Sequence, residues 1–323
     1  MLVPPLDAVR PRPDGERVLA LAGRSMGTKW QVRVSAPAAT GPGRIRQRVE
    51  AVLARVVAEA SGWEPTSALS AFNRAPAGML VALPAGLYGV LEHALALARA
   101  TDGACDPTLA PVIDLWGFGP PGPRRTPPSE DEVAAARART GWRRLLLDRE
   151  RGAALQPGGL GLDLCGIAKG WAVDLVSAEL SAAGIGAHLV EIGGELRGEG
   201  VKPDGQPWWV ALERAPGEAG PETLVALHGL AIATSGSYRR CFEAGGRRFA
   251  HTIDPRTGQP LADPPLAVTV LHRNCMAADA LATALTVLGP EAGLEHARRH
   301  GLAARFLIAA GERTSPAFDA LLD

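Results

Sequence analysis

The feature that most constrains the fold is a single carboxylate in an otherwise apolar, helix-like stretch. Residues 276–288 read M-A-A-D-A-L-A-T-A-L-T-V-L, and Asp279 is the only ionisable side chain among them. A carboxylate in such surroundings is costly unless a partner or a cation compensates its charge. Thr283 follows one helical turn later, on the same face, and a carboxylate with a hydroxyl suits a hard cation. Taken alone, the pattern fits equally well an Asp279 that caps a neighbouring loop.

Composition and charge exclude several classes of protein. The 323 residues carry 34 basic and 34 acidic side chains, so the formal net charge is zero and no nucleic acid is expected as a partner. Aromatic residues make up 5%, with only two tyrosines, which argues against a base-stacking surface. No apolar run reaches the length of a membrane span, so none is expected.

The N-terminal segment and the cysteines bear on location. Residues 1–17 are rich in Pro and Arg and are predicted to form a flexible arm, without the apolar core of a signal peptide or a cysteine for a lipid. The four cysteines are far apart and form no C-x-x-C pair, which argues against zinc and is typical of reduced thiols. We therefore expect a cytoplasmic protein.

Helical and strand patterns mix irregularly along the chain. Two strands are predicted between Val18 and Val34, and a hairpin within residues 141–162. Ser129 and Glu132 predict a capping box after a proline-rich loop. Because strands and helices do not alternate regularly, we expect an α+β fold with mixed sheets flanked by helices. Helical periodicity is clear in three segments, 44–60, 86–100 and 167–183.

A glycine-flanked lysine is the second candidate site. Gly161–Asp174 reads G-L-D-L-C-G-I-A-K-G-W-A-V-D, with Gly166 and Gly170 around Lys169 at the entrance to a predicted helix. Backbone N–H groups, close-approach glycines and an ammonium can hold a phosphate, although the spacing is not that of a Walker A loop. Only three of the 34 basic residues are lysines, which indicates that a compact ammonium is needed at Lys169. Glycines before a helix are also typical of a plain turn.

Three further stretches place polar residues at turns. T-D-G-A-C-D-P at 101–107 follows a helix, where an ordinary C-cap explains the pattern equally well. A-T-S-G-S-Y at 233–238 precedes H-T-I-D-P-R-T-G at 251–258, in which Asp-Pro and a closing Gly predict a turn. His251 stands at a strand end before that turn, where it is either a catalytic base or a structural histidine bonded to the turn.

In order and approximate spacing, these motifs resemble those of the ApbE-type FAD:protein FMN transferases. The resemblance is carried by the stretches at 101–119, 163–174, 233–238, 251–258 and 275–285. S-M-G-T at 25–28 and S-A-L-S-A-F-N at 67–73 fit as well. The resemblance spans roughly residues 18–310. It implies one ApbE-like flavin transferase domain over residues 18–323, preceded by the arm at 1–17.

The resemblance implies a magnesium-dependent enzyme that uses FAD as its substrate. Such an enzyme cleaves the FAD pyrophosphate, transfers FMN to a Ser or Thr of an acceptor flavoprotein and releases AMP. Acceptors carry a short D-x-x-[ST]-G-A-[ST]-like motif, which this chain lacks, so self-flavinylation is not expected.

Carried over residue by residue, the resemblance implies roles for twelve positions. Asp279 and Thr283 would be side-chain ligands of Mg²⁺, with the carbonyl of Gly166 as a third ligand, and His251 matches the candidate catalytic base. The implied flavin contacts are Met26, Trp63, Ala104, Cys105, Asp106, Asp163, Lys169 and Ile253.

Three positions depart from the usual family pattern without removing a proposed ligand. Cys165 replaces a glycine, Glu195 an aspartate, and Trp63 a tyrosine. Two other functions use many of the same residues. One is a metal-dependent FAD pyrophosphatase with water as the acceptor, and the other is a non-enzymatic flavin-binding protein, for which a metal site would be unnecessary.

Overall fold

The computed structural model describes residues 16–37, 40–214, 223–236 and 241–321. Most of the predicted arm at 1–17 lies outside these ranges, and the predicted boundary at residue 17 falls inside the first strand. The strands are β1 (Glu16–Ser25), β2 (Thr28–Pro37), β3 (Leu80–Ala82), β4 (Leu146–Asp148), β5 (Ala153–Leu155), β6 (His188–Ile192), β7 (Glu195–Glu199), β8 (Trp208–Ala211), β9 (Leu224–Leu227), β10 (Leu230–Gly236), β11 (Cys241–Ala244), β12 (Arg247–Ala250), β13 (Ile253–Asp254), β14 (Gln259–Pro260), β15 (Ala267–His272), β16 (Ala303–Ile308) and β17 (Gly311–Thr314). The helices are α1 (Pro42–Ala60), α2 (Ala68–Arg74), α3 (Ala85–Ala100), α4 (Ala110–Leu115), α5 (Glu130–Arg137), α6 (Ala168–Ala182), α7 (Cys275–His300) and α8 (Pro316–Asp319), with a 3₁₀ turn at Trp142–Arg144.

An eight-stranded antiparallel sheet organises the molecule, in the order β1-β2-β6-β7-β10-β15-β16-β17. Successive side chains of a strand point to opposite faces, so each strand contributes to two cores. On β6, Val190 packs into the main core and Leu189 into the core on the other face; on β10, Ala231 and Ile232 divide in the same way. The sheet is therefore covered on both faces.

Helices α1, α3, α6 and α7 cover one face and form the main core with it. The hairpin β8–β9 and helix α8 cover the other face. Helix α7 is interrupted at Gly289, whose φ of 78° is not helical, and Pro290 follows, which cannot donate to the preceding turn. The predicted helix around Asp279 is thus the first of two helical segments on either side of this break.

A third, smaller core lies beside the loop that follows α4. It joins α4 and α5 to β12 and β13 and includes Trp116 and Phe249. The indole N–H of Trp116 donates a 2.8 Å hydrogen bond to the carbonyl of Gly258, which fixes the predicted D-P-R-T-G turn against this core. The sequence segment 101–119 and the turn at 254–258 are therefore neighbours in space.

The α+β prediction is confirmed. The first two strands, the three predicted helices and the Ser129–Glu132 capping box are all present. The hairpin predicted within 141–162 is shorter than expected, because it starts with the 3₁₀ turn and pairs only β4 with β5. Among the described residues, no helix combines the length and the apolar character that crossing a bilayer requires.

Candidate active site

The site forms where the start of α6 packs against the start of α7. The backbone N–H of Gly170, in the first turn of α6, donates a 2.9 Å hydrogen bond to Oδ2 of Asp279. A methyl group on Gly170 would overlap the carbonyl oxygen of Cys275 and lie 2.8 Å from Cβ of Asp279. Glycine is therefore required for this close approach of the two helices.

Asp279 is only 5% exposed. Burial raises its pKa, while Lys169 and the N–H of Gly170 work in the opposite direction. The capping interpretation of this residue is supported, because Oδ2 caps the first turn of α6, and the cation-ligand interpretation stays a prediction; the other oxygen accepts no hydrogen bond from a described residue. One oxygen of a buried carboxylate is thus left for a ligand.

Thr283 and Gly166 lie together beside Asp279. Thr283 follows Asp279 by one turn of α7, and its hydroxyl is 3.3 Å from that of Ser235 on β10. A Cβ on Gly166 would lie 3.0 Å from Oγ1 of Thr283, so the loop before α6 reaches the same point. The structure therefore brings the three predicted metal ligands to one place.

Lys169 lies within the same cluster of charges. Its ammonium forms an ion pair with Glu195 at the start of β7. Burial acts to lower the pKa of Lys169, but Asp279 and Glu195 outweigh burial and raise it, so the group stays protonated. A fixed positive charge beside Asp279 is what phosphate binding at this site requires.

Glu195 is a member of the cluster to which sequence reasoning gave no role. It is 2% exposed, and burial raises its pKa to about 7 although Lys169 works against the shift. Its Oε1 contacts Lys169, whereas Oε2 is buried without a hydrogen-bond partner among the described residues. Two signals pointed to this carboxylate, its place directly after the Gly193-Gly194 turn and the aspartate that the family usually has there, but nothing in the sequence links it to a lysine 26 residues earlier.

The run Ala104–Asp106 and Asp163 lie on two adjoining segments. The backbone N–H of Asp163 donates to the carbonyl of Pro107. Burial, with the charges of Asp106, Asp279 and Asp163, raises the pKa of Cys105 to about 12. Asp106 uses both carboxylate oxygens within the protein, accepting from Thr108 and from the N–H of Trp142.

The start of the T-D-G-A-C-D-P stretch does form a helix C-cap. Asp102 has a φ of 47°, and the N–H of Gly103 donates to the carbonyl of Ala98, the pattern of a Schellman motif that ends α3. Asn73 holds the segment before Asp163 through paired hydrogen bonds to the backbone of Leu162. Local capping and a side-chain clamp thus place both candidate flavin-binding segments.

Met26 and Trp63 lie on turns. Met26, with a φ of 51°, and Gly27, with a φ of 70°, form the two-residue turn between β1 and β2. This turn approaches the lysine site, because a Cβ on Gly193 would lie 3.0 Å from Cγ2 of Thr28 and 3.3 Å from Cδ of Lys169. Trp63 is 52% exposed in the loop after α1, an unusual exposure for so large an apolar side chain.

His251 and Ile253 belong to the segment beside the third core. Ile253 is buried there, and the ring of His251 lies edge-on to Phe118 with centroids 6.3 Å apart. Ser237 and Tyr238, the end of the A-T-S-G-S-Y motif, lie outside the described residues. The structure thus holds His251 beside the segment 101–119, and its role as a catalytic base stays a prediction.

The family is decided by comparison with known proteins. The model of the ApbE family matches residues 26–306, nearly the whole described chain. The chain belongs to the ApbE family. The resemblance drawn from the motifs is therefore confirmed.

Curated members of the ApbE family match over most of their length. The FAD:protein FMN transferase of Haemophilus influenzae is 36% identical over 301 residues, which cover 90% of this chain and 87% of the relative. That of Vibrio cholerae is 37% identical over 276 residues, covering 85% and 82%. A solved apo structure of the flavinyl transferase ApbE of Pseudomonas stutzeri has a TM-score of 0.88 at 40% identity and covers 95% of this chain and 97% of its own.

A cation bound by Asp279 would need oxygen ligands of several kinds, from side chains, from the backbone and from water or substrate. Among the described residues, no group of three His, Cys, Asp or Glu side chains lies close enough together to hold a metal ion. The unpartnered oxygen of Asp279, the hydroxyl of Thr283 and the nearby backbone of Gly166 fit a hard cation that keeps water or substrate oxygens as further ligands. The residues present therefore fit Mg²⁺.

Cavity size does not mark this site. A cleft of about 330 Å³ lies instead next to α4, lined in part by Asn73, Asp114 and Arg139. Burial and the charge of Asp163 raise the pKa of Asp114 to about 6, and Oδ1 of Asp114 is buried against Gly119 without a hydrogen-bond partner among the described residues. The buried charges, and not the clefts, distinguish the junction of α6 and α7.

Proposed function

We propose that this chain is a Mg²⁺-dependent FAD:protein FMN transferase that attaches FMN to a Ser or Thr of an acceptor flavoprotein and releases AMP. The observation that carries the proposal is the junction of Lys169 and Asp279, a fixed ammonium beside a buried carboxylate with one free oxygen, in a chain of the ApbE family. The names of its relatives support the same reaction.

The reaction is an in-line displacement at the phosphorus of the FMN half of FAD. The oxygen of the acceptor hydroxyl forms a bond to this phosphorus, and the bond from phosphorus to the bridging pyrophosphate oxygen breaks. That oxygen leaves with AMP, and the hydroxyl proton passes to a base. Such a step depends chiefly on positioning and on compensation of phosphate charge.

The residues of the junction can meet these needs. Asp279, Thr283 and Gly166 would hold Mg²⁺, which when bound neutralises charge on the phosphate oxygens. Lys169, held at the start of α6, would pair with a phosphate oxygen near the N–H groups of the first helical turn. The other flavin contacts that the resemblance implies, from Met26 to Ile253, remain predictions.

A base must take the proton of the acceptor hydroxyl. His251 is the candidate, because an imidazole suits proton transfer near neutral pH and an unactivated hydroxyl is a poor nucleophile. Its ring lies edge-on to Phe118, which belongs to the segment 101–119 that also contains Asp106. The motif of the acceptor and the cytoplasmic location stay predictions.

One experiment separates this function from the two alternatives. The protein is incubated with FAD and Mg²⁺, with and without an acceptor domain that carries a D-x-x-[ST]-G-A-[ST]-like motif; AMP is measured by chromatography and bound flavin by fluorescence on a denaturing gel. We expect AMP and flavin-labelled acceptor in equal amounts. AMP without labelled acceptor identifies a pyrophosphatase, and neither product identifies a flavin-binding protein. An acceptor whose motif Ser or Thr is replaced by Ala serves as the control.

A further inference from the structure

The starting observation is a buried carboxylate with half of its hydrogen-bonding capacity unused. Glu195 is 2% exposed; Oε1 contacts the ammonium of Lys169, and Oε2 has no partner among the described residues. Burying a carboxylate costs free energy, and a single ion pair often fails to repay that cost. Stability alone therefore does not account for Glu195, and its effect on Lys169 is the alternative.

Lys169 lies near two carboxylates: its ammonium pairs with Glu195, and the next residue, Gly170, donates its N–H to Asp279. Asp279 and Glu195 both raise the pKa of Lys169. When all three groups are ionised, they carry two negative charges and one positive charge. A cation that binds Asp279 must therefore compete with the ammonium of Lys169 for the same carboxylate, unless Glu195 holds the ammonium.

The hairpin between β6 and β7 fixes Glu195 in that role. Gly193 and Gly194 have φ values of 66° and 105°, so the turn requires glycine, and Glu195 is the first residue of β7. A Cβ on Gly193 would lie 3.3 Å from Cδ of Lys169, so the lysine stem runs against this turn toward Glu195. The backbone N–H of Gly193 donates to the carbonyl of Lys29, which ties the turn to β2.

We propose that Glu195 is a positioning residue that holds the ammonium of Lys169 off Asp279. Asp279 is thereby left available for a divalent cation, and the ammonium keeps a place beside it for a phosphate oxygen. Glu195 itself binds neither the cation nor the substrate. This inference rests on the proposed function, because it presupposes a cation on Asp279.

The test measures Mn²⁺ binding by electron paramagnetic resonance, without FAD, in the full chain. In Glu195→Gln the ammonium of Lys169 loses its charged partner and turns to Asp279. We therefore expect the Kd for Mn²⁺ to rise about tenfold, which corresponds in free energy to a shift of one pKa unit. Glu195→Asp keeps the charge on a shorter arm and should lose less. The matched control is Glu199→Gln on the same strand, whose carboxylate pairs with Arg197 and should not affect Mn²⁺.

A double-mutant cycle separates positioning from direct binding. Lys169→Gln removes the competing charge but keeps an amide donor for Glu195. In that background, Glu195→Gln should change the Kd by less than about threefold if Glu195 acts through Lys169. A full tenfold loss in both backgrounds would show that Glu195 acts on the cation directly and would overturn the inference.

Two further outcomes distinguish the inference from the proposed function. If the wild type binds Mn²⁺ and Asp279→Asn does not, the cation site stands, and an unchanged Kd in Glu195→Gln overturns the role of Glu195 alone. If the wild type binds no Mn²⁺, both the cation site and the inference are overturned. Melting curves of every variant verify that each comparison is made between folded proteins.

Discussion

Asp279 on α7 accepts a 2.9 Å hydrogen bond from the backbone of Gly170 on α6, across 109 residues of sequence. The same carboxylate thus helps to cap one helix, and its second oxygen accepts no hydrogen bond from a described residue. With the proposed cation bound there, Asp279 would link the stability of the helix junction to the chemistry of the site. The two functions can be separated by substitution, because an amide can keep the hydrogen bond and lose the charge.

Asp279→Asn should remain folded and lose cation binding. The amide oxygen can still accept from Gly170, and removing a buried charge does not cost stability by itself. We expect Mn²⁺ affinity to fall roughly tenfold or more and Mg²⁺-dependent turnover to be lost. The control is Asp174→Asn, since Asp174 caps the start of α7 through Cys275 and Met276 and should lower the melting temperature instead. Undiminished turnover of Asp279→Asn at limiting Mg²⁺ would contradict the metal assignment.

Gly170→Ala should separate α6 from α7. The added methyl would overlap the carbonyl of Cys275 and press on Asp279, so we expect a loss of about 1–3 kcal/mol in the free energy of unfolding and weaker Mn²⁺ binding. Gly89→Ala is the matched control: Gly89 is exposed within α3, with nothing within 4 Å of an added Cβ, and should become more stable by about 0.5–1 kcal/mol. Urea titrations of both variants provide the comparison.

Lys169→Ala should weaken FAD binding and slow transfer, because a phosphate loses its positive partner. Lys169→Arg should restore activity only in part, since the planar guanidinium is bulkier than the ammonium and the lysine stem already runs against Gly193. Lys202→Ala, which removes a surface ion pair with Asp204, is the control and should change neither quantity. Full activity in the arginine variant would refute the argument from the scarcity of lysine.

His251→Ala separates base catalysis from binding. If His251 takes the proton of the acceptor hydroxyl, transfer should slow by roughly a hundredfold or more, while the affinities for FAD and Mn²⁺ change little. If it only supports the turn at 254–258, then FAD affinity and melting temperature should fall together with the rate. His300→Ala, at the exposed end of α7, controls for the loss of a histidine.

Asp114→Asn should alter how stability depends on pH. The pKa of Asp114 is raised from 3.8 to about 6 in the folded protein, so between these values the folded state holds a proton that the unfolded state has lost. Its contribution to stability therefore falls as pH rises through that window. We expect the variant to melt at a higher temperature than the wild type above pH 6 and at the same temperature below pH 3.8. Equal melting temperatures at every pH would show that the carboxyl ionises as it does in the unfolded chain.

The sequence could predict the elements of this site but not all of its contacts. Asp279 and Thr283 were recognisable because helical spacing alone places them on one face, and Lys169 because it is rare and flanked by glycines. Glu195 could not be assigned, because its partner is brought to it by the pairing of β6 with β7 and by the packing of α6 on the sheet. Long-range packing has no local signature in a single sequence.

Side-chain roles were also less predictable than positions. Asp106 falls in a matching motif, yet its carboxylate is used by Thr108 and Trp142, which only the folded loop shows. The helix cap at Asp102 has a local cause and was foreseen as an alternative. For Asp279 the capping hydrogen bond is present and the metal ligation stays a prediction; one carboxylate can serve both through its two oxygens.

The order of strands in the main sheet has a consequence for how the enzyme is made. β2 pairs with β6, and β7 with β10. The strands on either side of the Gly193-Gly194 turn therefore join parts of the chain that are synthesised at different times. Contacts of such long sequence separation form slowly and late in folding. A nascent chain that ends before Asp279 would lack two of the three proposed metal ligands, so we expect premature termination to yield a fragment unable to transfer FMN.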